Sequence, residues 1–92
     1  MSEITNIFID HFQIPLPVTL SDATHGEMSQ FQLITVKIAD SEGAEGLGYT
    51  YVGQSSAGSI QSLLEDYKDL LIGEDAERIE YLWQKMWWEL HY

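Results

Sequence analysis

The stretch that most constrains the fold is Gln30 to Val52, where apolar side chains recur with a period of two. Ile34, Val36 and Ile38 are separated by Thr35 and Lys37, the pattern of a strand with one buried and one wetted face. After Asp40-Ser-Glu-Gly43, the residues Leu47, Tyr49 and Tyr51 alternate with Gly46, Gly48 and Thr50. Asp40 can accept bonds from its own turn and Gly43 can take positive φ, so the two runs read as an antiparallel hairpin. Two glycines on one face of the second run imply that something packs close to the sheet there.

The flanks fit elements packed on that hairpin or projecting from it. Ile4 to Ile14 reads as a further strand, with Ile7 and Ile9 on one face and Phe8 and Phe12 on the other, so burial on two sides is expected. Pro15 and Pro17 lack amide donors and are expected to end it. Val18 to Ser29 and Val52 to Ser59 read as loops by composition, the first longer than most connections in a small domain. Ile60, Leu63, Leu64, Tyr67 and Leu71 then form a helical stripe, predicting a helix over Ser59 to Ile72 with Ser56 or Ser59 as N-cap and Gly73 as C-cap. A second helix is predicted from Glu74 and Asp75 onward, with Ala76, Ile79, Trp83, Met86 and Leu90 as its stripe and Leu82 beside it. Trp87 and Trp88 fall partly outside that stripe, so this helix is expected to touch a second partner. The fold class is therefore α+β: a three-stranded antiparallel meander followed by two or more helices.

Ninety-two residues hold one domain with one modest core. With 15 acidic against 4 basic residues the net charge is −11, which repels phosphate backbones and anionic lipid and argues against nucleic acid or membrane partners. There is no cysteine, hence no disulfide, thiolate metal site or thiol nucleophile, which suits a reducing cytoplasm. The N-terminal stretch has no basic region ahead of an apolar one, and no apolar run nears the roughly 20 residues of a membrane span. The expected location is cytoplasmic.

Few residues suggest chemistry by themselves. Gly53-Gln-Ser-Ser-Ala-Gly58 has the glycine spacing of a phosphate loop, but Ser59 and Ile60 stand where that motif needs its lysine and hydroxyl. Asp40-Ser-Glu-Gly43 is better read as a turn than as a calcium loop, since Tyr51 occupies the position of the bidentate glutamate. His11, His25 and His91 are too far apart for helical zinc spacing. Asp22, His25 and Ser29 share one loop, with nothing to orient them as a triad. His25 remains a titratable imidazole on a long connection, open to a ligand or simply solvated, and Tyr51 adjoins the second connection.

The order of these elements, with four particular strings, resembles the N-terminal capping domain of the enolase superfamily, in its mandelate racemase/muconate lactonizing branch. The strings are Ile14-Pro-Leu16, Leu33 to Ala39, Gly46-Leu-Gly48-Tyr-Thr50, and Leu71-Ile-Gly73-Glu-Asp75 ahead of Leu82-Trp83 and Met86. The resemblance spans nearly the whole chain. It implies a cap on a modified (β/α) barrel, whose two loops close over the barrel mouth and select the substrate. It implies that Thr24, His25, Tyr51 and Gln54 face a small carboxylate such as a sugar acid. The barrel of such an enzyme carries the lysine or histidine base and the carboxylates that hold Mg²⁺, for removal of the proton α to a carboxylate in a racemase, dehydratase or cycloisomerase reaction. Residues 1–92 are expected to be the cap alone, without the barrel, so no catalytic or metal-binding residue is assigned within them and the chain is not expected to be catalytic by itself. The barrel and the carboxylate substrate are the implied partners, with homo-oligomers a further implication. The alternative reading is a free-standing interaction or dimerisation module that uses the apolar face of the second helix.

Overall fold

The computed structural model describes residues 2–22, 26–53 and 57–90, with side chains at 2–15, 30–53 and 57–89. Three strands, β1 (Ile4–Asp22), β2 (Gly26–Asp40) and β3 (Glu45–Val52), form one antiparallel sheet in the order β1-β2-β3. Two helices follow, α1 (Ala57–Leu71) and α2 (Ile79–Leu90). The expected meander and helices are present, and the hairpin pairs from Ala39↔Glu45 through Gln32↔Val52.

The turn of that hairpin forms for the reason its residues suggest. Asp40 Oδ1 accepts the amides of Glu42 at 2.9 Å and Ala44 at 2.8 Å, and Gly43 adopts φ +86°. Directly paired residues share a face, so Ile7, Ile9 and His11 of β1, Ile38, Val36 and Ile34 of β2, and Gly46, Gly48 and Thr50 of β3 all point to one side. The helices pack on this side. Ile4, Ile7, Leu71 and Leu82 form the buried cluster, with Ile9, Val36, Ile38, Ala76 and Met86 against it. Ile4 joins Ile7 despite the odd spacing because the register shifts between Ile4 and Asn6, leaving Thr5 as an extra residue in β1.

Residues 2–4 act as a strap with backbone bonds on two sides. Ile4 N–H donates to Glu74 O at 2.8 Å, Gly73 N–H to Ile4 O at 2.8 Å and Ala76 N–H to Ser2 O at 2.7 Å. On the other side, Ser41 N–H donates to Glu3 O at 2.8 Å. The strap therefore ties the α1–α2 connection to the hairpin turn.

Three expectations are corrected. Pro15 and Pro17 do not end the first strand, and of the expected loop Val18 to Ser29 the described residues 18–22 and 26–29 are strand. β1 and β2 resume pairing at Leu20↔Met28 and continue to Asp22↔Gly26. Between Pro15↔Gln30 and Leu20↔Met28, residues 16–19 lie opposite position 29 alone, and such an irregularity on an edge strand is where missing proline amides are tolerated. Second, α2 starts at Ile79 rather than near Glu74, because the backbone of Gly73, Glu74 and Ala76 is bonded to the strap and Asp75 Oδ1 accepts the Glu77 amide in a turn. Third, α2 turns Leu82 and Met86 inward and leaves Ile79 and Trp83 73% and 60% exposed.

Candidate functional site

The two segments marked out by the sequence leave the same end of the sheet. β3 finishes at Val52, opposite Gln32, while β1 and β2 run on together as a two-stranded ribbon to Asp22 and Gly26. From Gln32 to Gly26 is six residues, a projection of about 20 Å at strand rise. Gly53 follows the last β3 pair at the base of this ribbon, and α1 opens with Ala57, which is buried. The strap and the Asp40–Gly43 turn sit at the opposite end.

Of the four proposed site residues, Tyr51 is described. It lies on the outer face of β3, away from the helices, 67% exposed, and its ring meets Phe31 edge-on with centroids 5.9 Å apart. Thr24, His25 and Gln54 lie outside the described residues, as do the candidate N-cap Ser56 and the histidine His91. Of their flanks, Gly53 follows the last β3 pair at the base of the ribbon, whereas Asp22 and Gly26 lie at its far end, about 20 Å further along.

At this end the sequence reading missed Gln32 and its tie to His11. Gln32 is in phase with Ile34, Val36 and Ile38, so it points to the helix side, and it is 5% exposed. His11 Nε2–H donates to its Oε1 at 2.6 Å, linking β1 to β2 in the rows nearest the ribbon. The available signal was a polar residue at an inward position of an apolar alternation.

Elsewhere the sheet carries two distinct surfaces. Its outer face presents Phe8, Phe12, Leu47, Tyr49 and Tyr51, all largely exposed, with Lys37 Nζ 5.3 Å above the Phe8 ring. The apolar outer face of the first strand was legible, but its burial is not found among the described residues, where Phe8 and Phe12 are exposed. On the helix side, a Cβ added at Gly46 or Gly48 meets nothing within 4 Å, so the close neighbour that the glycines implied is absent among the described residues. A cleft of about 240 Å³ lies there, lined by Ile38, Asp40, Ala44, Glu45, Gly46 and Ala76.

Among the described residues no group of three or more His, Asp or Glu side chains is placed to hold a metal ion, so no magnesium chemistry is assigned to them. No described helix is long and apolar enough to cross a membrane. The family model for the mandelate racemase/muconate lactonizing enzyme N-terminal domain matches residues 4–90. A 3,6-anhydro-α-L-galactonate cycloisomerase of Streptomyces coelicolor is 49% identical over 90 residues, covering 97% of this chain and 25% of the relative. A racemase from Streptomyces coelicolor A3(2), solved with bound magnesium, superposes with a TM-score of 0.93 at 48% identity, covering 97% of this chain and 25% of that one. An L-talarate dehydratase from Polaromonas sp. JS666, solved with Mg and L-glucarate, gives a TM-score of 0.89 at 26% identity over the same shares. The chain thus spans about a quarter of these relatives' length.

Proposed function

Because the chain belongs to the N-terminal domain family of mandelate racemases and muconate lactonizing enzymes, we propose that it is the substrate-selecting cap of an enzyme that acts on a sugar acid. The observation that supports this reading is that the β1–β2 ribbon and the chain following Val52 leave the three-stranded sheet at the same end. In this reading residues 1–92 are one capping domain, which packs on a (β/α) barrel that holds the base and the metal ligands. The sugar-acid class follows from relatives named for an anhydrogalactonate and for L-talarate.

The side chains assigned to the substrate suit a polyhydroxylated carboxylate. Thr24 and Tyr51 bring hydroxyls that both donate and accept, Gln54 brings a carboxamide, and His25 brings an imidazole that can donate to a carboxylate. Their work is to orient the acid and exclude water, while the proton α to the carboxylate is removed by a base outside this chain. Magnesium has no ligand set among the described residues, and no step on this chain is assigned to it.

A hybrid enzyme tests the reading: this chain replaces the matching quarter of the Streptomyces coelicolor cycloisomerase, and kcat/KM is measured over a panel of sugar acids. His25→Ala should shift the ratio of kcat/KM between acids by about tenfold or more, a loss equivalent to one good polar contact. A uniform profile across the panel would sink the assignment.

The second reading, an interaction module, draws on the exposure of Ile79 and Trp83 along α2. Sedimentation of the 92-residue chain checks it. A monomer that binds no apolar dye would remove its support.

A further inference from the structure

We propose that His11 and Gln32 form a positioning clamp that sets the angle at which the β1–β2 ribbon leaves the sheet. The functional consequence rests on the reading of that ribbon as a substrate-selecting element.

Three observations converge on the pair. The clamp lies where support changes: Gln32 pairs with Val52, the last residue of β3, so beyond this row β1 and β2 have no third strand. Two-stranded ribbons twist more freely than wider sheets, so their direction depends on ties near the root. The backbone ladder is then interrupted, since residues 16–19 face position 29 alone beyond Pro15↔Gln30. Finally, the tie is short and anchored on its buried side: His11 Nε2–H, on an exposed ring, meets Oε1 of Gln32, which is 5% exposed, at 2.6 Å. A carboxamide on a buried residue that loses its donor must find another or bear a desolvation cost, which favours this geometry.

Leverage turns that preference into function. At the end of a projection of about 20 Å, a change of about 10° at the root displaces the tip by about 3 Å. Misplacement of a substrate-positioning group by about 1 Å can cost on the order of a hundredfold in rate. Neither His11 nor Gln32 need touch the substrate. They act through the segment that carries Thr24 and His25.

The test uses two readouts. The chain has no cysteine, so spin labels at Glu27→Cys on β2 and Ser62→Cys on the exposed side of α1 report the ribbon's placement in the 92-residue chain itself. Gln32→Met keeps length and burial but removes the acceptor, and it should shift or broaden the label distance by several ångströms. His11→Gln keeps an N–H donor and Gln32→Glu keeps an acceptor, and both should hold the original distance. In the hybrid enzyme, Gln32→Met should lower kcat/KM by about ten- to a hundredfold, with His11→Gln restoring most of what His11→Phe loses. An unchanged distance in Gln32→Met overturns the clamp. A shifted distance with unchanged kcat/KM upholds the clamp and instead sinks the reading of the ribbon as a substrate-selecting element.

Discussion

At the scale of single residues, Lys85 is a charged side chain tied on two sides. Lys85 Nζ donates to Glu74 Oε1 and to Leu70 O, both at 2.8 Å, and so joins α2 to the carbonyl end of α1. The Glu74 hydrogen bond raises the Lys85 pKa, while burial and then the Glu89 carboxylate raise that of Tyr67. A raised lysine favours the folded state fully below its ordinary value near ~10.4 and loses that contribution as pH climbs through the folded value. A raised tyrosine acts in the same window: above about pH 10 the unfolded phenol ionises first and draws the equilibrium toward unfolding. Urea midpoints should therefore fall steadily from about pH 9.5 upward, and Tyr67→Phe with Lys85→Met should flatten that fall. Equal slopes in both proteins would contradict the assignment. The residue scale is also where the sequence was most legible. Asp40 and Gly43 act within four residues, so their turn needed no knowledge of the rest of the chain. The His11–Gln32 bond spans 21 positions and carries no local pattern.

At the scale of elements, the two faces of α2 separate packing from exposure. Leu82 is 8% exposed and sits in the buried cluster, whereas Trp83 lies outward and stacks on Trp87 with ring planes 6° apart and centroids 5.6 Å apart. Leu82→Ala should cost about 2–4 kcal/mol, the range for truncating a core leucine. Trp83→Ser should cost about 1 kcal/mol or less, the worth of one aromatic pair, and should reduce dye binding. Chemical denaturation of the two variants decides the matter, and a reversed order would show that the helix is turned the other way. The periodicity of α2 admits two adjacent apolar stripes, and nothing within it says which one faces the sheet. That choice is made by long-range ties, the strap to Glu74 and Ala76 and the Lys85 bonds to α1. The ribbon was illegible for a related reason: its prolines and polar residues read as loop, and its pairing is a property of two segments together. The strap was invisible because most of its bonds are between backbone groups, which leave no mark on side-chain patterns.

At the scale of the whole molecule, a net charge of −11 on 92 residues stores self-repulsion, relieved by few internal cations. The Lys37–Glu45 pair, at 3.8 Å and about half exposed, offsets little of it. Raising salt from about 20 mM to about 500 mM contracts the screening length to a few ångströms and should raise the melting temperature by a few degrees. A melting temperature that falls with salt would show that attractive pairs dominate instead. The sheet also has two unlike poles. At one, the strap, the Asp40 turn and the 73–76 segment interlock through backbone bonds that depend little on side-chain identity. At the other, a ribbon departs with its ladder already broken and no strand beside it. Such a molecule can vary its ribbon, in length as well as composition, with little penalty to folding, because the contacts that hold it together are made elsewhere. New preferences can be tried at one pole while the other remains a fixed chassis.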